Sequence, residues 1–275
     1  MSNSKNKNKE NKVINKKKLL YLRVFSLFCV WMAVPVAFIM NYYGSFSYIP
    51  GYNYFESSGW SSIADQLLYF TIWSNIVAFF WVLLATLSSI FKDNRKLSKF
   101  IEYSGVKNTP LIMMFITMSV SFLILYPIIF IGSLKDHTTS EAILSILWIS
   151  FLTPLLFQHL LVAIVLILDM VMTKGYKTLN NKKETKKQWF IGFSISSIIP
   201  LAWLLISIIA IAGHILVPQY PFMNLFPHSL QPDGTLSDFP ISRVVLDWVT
   251  LICIVIVWCG YYGLISVYSN KKYKN

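Results

Sequence analysis

One apolar stretch decides the fold: residues 146–172, ILWISFLTPLLFQHLLVAIVLILDMVM. Apart from the ionisable His159, Asp169 is the one charged residue in these 27 positions. A transmembrane helix needs about 20 apolar residues, so the stretch is long enough to cross a bilayer. His159 then lies well inside the hydrocarbon, where an ionisable side chain is costly unless it is neutral or paired. His159 is therefore a candidate functional residue, and a neutral histidine that hydrogen-bonds to a neighbouring helix is the alternative.

The composition of the whole chain agrees with a membrane protein. Hydrophobic residues make up 55% of the 275 positions and charged residues 13%, about half the charged fraction of a soluble domain. The hydropathy pattern predicts an all-α membrane protein, a bundle of six transmembrane helices in one domain (19–270). The predicted spans are 19–40, 67–91, 111–132, 146–172, 190–212 and 244–268. A basic tail (1–18), rich in Lys and Asn, is predicted to be disordered, and a short tail (271–275) ends the chain.

The distribution of basic residues predicts the orientation. Of the 24 Lys and Arg residues, 22 fall in the two tails, at the start of span 1 or in the loops 92–107 and 174–187, and only Lys135 and Arg243 fall in the alternate loops. By the positive-inside rule both termini are then cytoplasmic, in a protein of the cell membrane. The net charge of +12 fits contact with anionic membrane lipid, and no pattern suggests nucleic acid as a partner.

Polar side chains inside two spans are the candidate site. Thr71, Ser74 and Asn75 have i, i+3, i+4 spacing and share one face of span 2, and an Asn inside a span needs several hydrogen-bond partners where water is absent. In span 4, Gln158 and His159 are adjacent, so their side chains point about 100° apart. Polar contacts that only hold helices together are the structural alternative.

Metal and cofactor chemistry is not indicated by the sequence. No His, Cys or carboxylate set has metal-ligand spacing, the three cysteines fall inside predicted spans as small hydrophobic residues, and there is no Gly-rich phosphate loop. If the protein is an enzyme, the available arrangement is a hydroxyl nucleophile with a nearby His base.

The depths of the candidate residues matter for that chemistry. Thr71 is predicted to lie about one turn from the outer membrane surface and His159 deeper, with a difference of roughly 5–13 Å. If tilt or a kink at Pro154 does not close this difference, Asn75 is the more natural neighbour of His159. The outer loops 41–66 and 214–243, rich in aromatic residues and proline, are expected to lie on the bundle as a cover or an interfacial anchor.

Three short blocks carry a family resemblance: residues 70–75 (FTIWSN), His159 with Asp169 ten residues later, and residues 219–224 (QYPFMN). They resemble the androgen-induced and androgen-dependent six-span membrane threonine hydrolases and their bacterial integral-membrane relatives. The resemblance implies Thr71 as nucleophile and His159 as general base for a lipid ester, with Ser74, Asn75, Gln158 and Asp169 as supporting residues. The family usually has a proline four or five residues after the His, where this chain has Ala163 and Ile164.

Three hypotheses follow. The first is an intramembrane lipid-ester hydrolase, the second a transporter or small-ligand-binding protein, and the third a bundle whose polar residues serve packing alone. An informative observation is whether Thr71 and His159 line one cavity.

Overall fold

The computed structural model describes residues 2–43, 59–60, 67, 69–91, 95–101, 103–127, 131, 156–173, 186–215, 223–230 and 234–271. Helices dominate these residues. The α-helices are α1 (Ser2–Trp31), α2 (Ala37–Tyr42), α3 (Phe70–Ile90), α4 (Arg95–Ile101), α5 (Ser104–Val120), α6 (Val162–Thr173), α7 (Lys186–Ala212) and α8 (Ile241–Lys271). Three π turns accompany them: Met32–Val36 joins α1 to α2, Ser121–Leu125 follows α5, and Phe157–Leu161 precedes α6.

Five helical stretches of the described chain are long and apolar enough to cross a membrane. They are Lys17–Met40, Phe70–Ile90, Gly105–Ile124, Trp189–Ala212 and Ile241–Ile265. The helical membrane-type architecture predicted from hydropathy is therefore confirmed. The remaining predicted span (146–172) is described only in its second part, as the shorter apolar helix Phe157–Thr173, and Pro154 lies outside the described residues.

The third span begins earlier than the hydropathy pattern predicted, because its polar first turns find partners inside the protein. Lys107, assigned to a loop from the sequence, lies within α5 and donates to the hydroxyl of Thr173 on α6. The hydroxyl of Thr109 donates to the carbonyl of Gly105 at 2.5 Å. Hydropathy averaged over consecutive residues does not take such hydrogen bonds into account.

The basic N-terminal segment also differs from expectation. Helix α1 starts at Ser2 and so includes residues 2–18, which composition predicted to be disordered. Extending an existing helix adds one backbone hydrogen bond for each residue fixed, which is far easier than starting a new helix. The apolar part of α1 is the existing helix that residues 2–18 extend.

Helix α5 lies at the centre of the bundle, in contact with α3, α6, α7 and α8, while α1 packs against α3 and α6. Helices α5 and α7 approach closely at two glycines. A Cβ on Gly105 would lie 3.2 Å from the Cα of Gly192 and 3.0 Å from the Cβ of Ile195. Small residues at such crossings let membrane helices pack tightly.

The segment before α8 is tied to the bundle by hydrogen bonds. The backbone N–H of Asn224 donates to Asp247 at 3.0 Å, and the indole of Trp248 donates to the Leu225 carbonyl at 2.8 Å. Met223 is fully buried, which agrees with a loop that lies on the bundle. Of the aromatic loop 41–66, residues 44–58 and 61–66 fall outside the described residues.

A two-stranded hairpin departs from the all-α prediction. Strands β1 (His228–Leu230) and β2 (Leu236–Asp238) pair antiparallel, with Ser229 opposite Ser237. Gly234 precedes β2 with φ +80°, a conformation that glycine adopts without the steric cost of a side chain. The strands are three residues each, too short to give a clear alternating pattern in the sequence.

Candidate functional site

Helix α3 presents the predicted polar face to the interior of the bundle. Thr71, Ser74 and Asn75 are all buried, and Ala78 continues the face one turn further along. The hydroxyl of Ser74 donates to the Phe70 carbonyl at 2.8 Å. The i, i+3, i+4 spacing therefore identified the inward face of this helix correctly.

The side-chain amide of Asn75 joins two helical segments. Its Nδ2 donates to the backbone carbonyl of Thr71 at 2.8 Å and to the carbonyl of Gln158 at 3.0 Å. Because both contacts need N–H donors, they fix the orientation of the amide. Among the described residues, Oδ1 of Asn75 is buried without a hydrogen-bond partner.

Gln158 and His159 contact different helices, as their 100° separation predicts. The Gln158 side chain donates to the carbonyl of Ala33 at 2.8 Å, within the π turn of the first helix. Nδ1 of His159 lies 3.2 Å from the hydroxyl of Tyr126, the residue after another π turn, and the two rings meet edge to face. π turns are rare and mostly appear as single-turn bulges inside α-helices. Of the three described, one contains Gln158 and His159, one contains Ala33 and one ends directly before Tyr126.

A cavity of about 590 Å³, including its open mouth, lies between α3, α5, α7 and α8. Its wall is mainly apolar and aromatic, and it carries no charged residue. The side chains on the wall that carry a polar group are those of Thr71, Thr117, Trp203 and Trp258. The other wall residues are Phe70, Ile116, Val120, Pro200, Leu204, Met223, Leu251, Ile254 and Val255.

Thr71 and His159 do not line this cavity together. Thr71 is a wall residue, as is Met223 from the third motif block, whereas His159 is absent from the wall. The structure thus brings two of the three motif blocks to one cavity. It links Thr71 to the neighbourhood of His159 through Asn75, whose amide contacts the backbone of Thr71 and of Gln158.

Ser74 and Asn75 lie away from the cavity wall. The hydroxyl of Thr117, which does line the cavity, donates to the Ser74 hydroxyl at 2.9 Å. Ser74 and Asn75 are both fully buried. They position neighbouring groups and backbone, and do not face the empty space.

Asp169 is engaged by a residue that sequence reasoning did not assign to the site. The Nε of Arg23 lies 2.7 Å from Oδ2 of Asp169, and both side chains are buried. A second guanidinium nitrogen of Arg23 donates to the Ala85 carbonyl at 3.0 Å and to the Ser89 hydroxyl at 2.8 Å. Asp169 lies about 15 Å along the helix from His159, so it does not orient that imidazole.

The sequence did contain a signal for this pair. Arg23 and Asp169 are charges of opposite sign inside otherwise apolar predicted spans, and such residues pair with one another. Arg23 also lies close to the N-terminal lysines, so it was assigned to that basic group and not to a pair inside the membrane.

Metal binding finds no support in the described part of the chain. No group of three or more His, Cys, Asp or Glu residues there lies close enough together to hold a metal ion.

Comparison with known proteins adds no further constraint. No family model matches the sequence, and neither a curated protein nor a solved structure was found to be similar to it. Function is therefore argued from the residues and the geometry above.

Replacing Asp169 by Asn is expected to lower the free energy of unfolding by about 3–5 kcal/mol, because the Arg23 guanidinium stays buried without its counter-charge. The double variant Arg23→Met, Asp169→Leu is expected to regain most of the loss. Unfolding of the purified protein in detergent measures both.

Asp238→Asn is the control, since it removes an ion pair with His228 whose two side chains are exposed, and exposed pairs contribute little. Wild-type stability in Asp169→Asn would contradict the structural role assigned to the buried pair.

Proposed function

We propose that this protein is an integral membrane protein that binds an apolar ligand, such as a lipid acyl chain, in the cavity beside Thr71. The observation that carries the proposal is the apolar, uncharged wall of the cavity. It is formed largely by four helices, each of which contains a stretch long and apolar enough to cross a membrane. Small-molecule sites are typically concave and mostly apolar, with a small number of polar groups. Within a bilayer, close packing of the ligand against the wall has to supply the affinity, because lipid tails are as apolar as the cavity.

The proposal includes the topology. Six spans with both termini in the cytoplasm fit the 22 basic residues on one side. Fusion of a fluorescent protein that folds only in the cytoplasm to the C-terminus is expected to give fluorescence. Fusion of alkaline phosphatase, which is active only outside, is expected to give no activity. The reverse result, with the N-terminus shown to be cytoplasmic, would indicate an odd number of spans.

Filling the cavity tests ligand binding. Hexadecane added to the detergent-solubilised protein is expected to raise the Tm in a concentration-dependent way, since a ligand that binds only the folded state stabilises it. Val255→Phe places a larger side chain on the cavity wall and is expected to weaken this response about tenfold.

Val257→Phe is the matched control, because Val257 lies two residues away on the same helix and is exposed on the outside of the bundle. An equal response of both variants to hexadecane would show that the cavity is not the binding site.

Ester hydrolysis is the second candidate function, favoured by the position of Thr71 on the cavity wall and by the family resemblance. His159 would take the proton of the Thr71 hydroxyl as its oxygen attacks the ester carbonyl, and would return that proton to the departing alcohol. Water would then release the acid from Thr71. His159 now contacts Tyr126, so this reaction requires the imidazole to leave Tyr126 and reach Thr71.

Asn75 acts in this scheme as a positioning residue. Its Nδ2 group is held by the carbonyls of Thr71 and Gln158, so the amide sets the spacing between the nucleophile's turn and the turn that carries His159. Stabilisation of the oxyanion would fall to other donors.

Thr71→Ala and His159→Ala are each expected to abolish lipid-ester hydrolysis by the purified protein without loss of folding. Thr250→Ala is the control for the threonine, because its hydroxyl bonds to a carbonyl of its own helix and it lies away from the cavity wall. His214→Ala, at an exposed position, is the control for the histidine. Turnover that persists in Thr71→Ala or His159→Ala would exclude this mechanism and leave ligand binding untouched.

A further inference from the structure

The indole N–H of Trp258 is a buried donor without an acceptor. Trp258 is 7% exposed, and among the described residues its Nε1 has no hydrogen-bond partner. Trp73 donates to the Leu67 carbonyl at 2.6 Å and Trp248 to the Leu225 carbonyl at 2.8 Å. The buried Nε1 of Trp81 is likewise without a partner among the described residues, but Trp81 does not line the cavity, so Trp258 is the unpartnered indole that a molecule in the cavity can reach. An unpaired N–H is unfavourable inside a membrane, where no water replaces the missing acceptor.

The position of this donor links it to the cavity. Trp258 forms part of the cavity wall together with Leu251, Ile254 and Val255 of the same helix. These residues have i, i+3, i+4, i+7 spacing and so form one stripe along α8. Trp258 stands at one end of the stripe, about 10 Å from Leu251 along the helix axis. A molecule in the cavity is therefore placed to supply the missing acceptor.

We propose that Trp258 recognises an oxygen of the ligand, and that the cavity takes a neutral amphiphile with one apolar chain and a hydrogen-bond acceptor. This inference rests on the proposed ligand-binding function and names the chemical class of the ligand. An indole nitrogen only donates, so the ligand has to present an acceptor such as a carbonyl oxygen. A pure hydrocarbon would leave the N–H unpaired.

The composition of the cavity wall indicates that the ligand is uncharged. The cavity wall carries no Lys, Arg or His, and a buried carboxylate without a counter-charge is strongly disfavoured. The hydroxyl of Thr117 on the wall is already directed at Ser74. The site therefore favours an uncharged oxygen over a free fatty acid.

Three probes with the same chain length separate these properties: hexadecane, methyl palmitate and sodium palmitate. Apparent affinities come from the rise in Tm with the mole fraction of each probe in the detergent. The wild type is expected to bind methyl palmitate about three- to tenfold more tightly than hexadecane, the range for one neutral hydrogen bond. Palmitate is expected to bind more weakly than its methyl ester.

Trp258→Phe removes the N–H and keeps an aromatic ring. It is expected to bind hexadecane as the wild type does and to lose the preference for the ester. Trp31→Phe is the matched control, because Trp31 is exposed on α1 and lies away from the cavity wall, so its replacement is expected to preserve the preference.

Each outcome distinguishes this inference from the proposed function. If no probe stabilises the wild type, the ligand-binding function itself fails. If the wild type binds hexadecane and methyl palmitate equally, or binds palmitate best, recognition of a neutral acceptor is overturned while the apolar site stands. A preference for the ester that survives in Trp258→Phe also overturns the role of Trp258. The wild-type comparison decides the matter even if that variant does not fold.

Discussion

The pairing of Arg23 with Asp169 is the contact on which the arrangement of the first, third and sixth helices depends. The guanidinium of Arg23 also donates to the Ala85 carbonyl of α3, so three helices meet at this one side chain. About 15 Å away along the first helix, the Gln158 side chain bonds to Ala33. Two contacts at separate levels fix both the antiparallel register and the rotation of these helices. Inside a membrane, neither the Arg23–Asp169 pair nor the Gln158 amide has water as an alternative hydrogen-bond partner.

This fixed half of the bundle differs chemically from the half that contains the cavity. The amide of Asn75, the side chain of Gln158 and the ion pair all make contacts between helices. The cavity lies on the other side of α3, against α7 and α8, and its wall is nearly free of polar groups. Thr71 lies on the boundary between the two halves. The buried histidine therefore belongs to the fixed half, and the empty space belongs to the apolar half.

Much of the helical architecture could be predicted from hydropathy, because a membrane span is a local property of about 20 consecutive residues. The inward face of α3 also followed from spacing alone. The hydrogen-bond partners of Gln158 and His159 could not be predicted in this way, because Ala33 and Tyr126 lie 125 and 33 residues away in the sequence. No periodicity within one helix encodes such contacts. The π turns that set the local rotation of these side chains likewise have no simple sequence pattern.

The ion pair has a consequence for biogenesis. Arg23 leaves the ribosome 146 residues before Asp169, so the first helix enters the membrane while its cationic side chain has no anionic partner. A long arginine side chain near the end of a span can extend its charge to the headgroup region and keep it hydrated. Arg23 lies close to the start of the span Lys17–Met40, where this is feasible. Insertion of the first helix and its final docking are thus separate events, and the second waits for synthesis of the helix that carries Asp169.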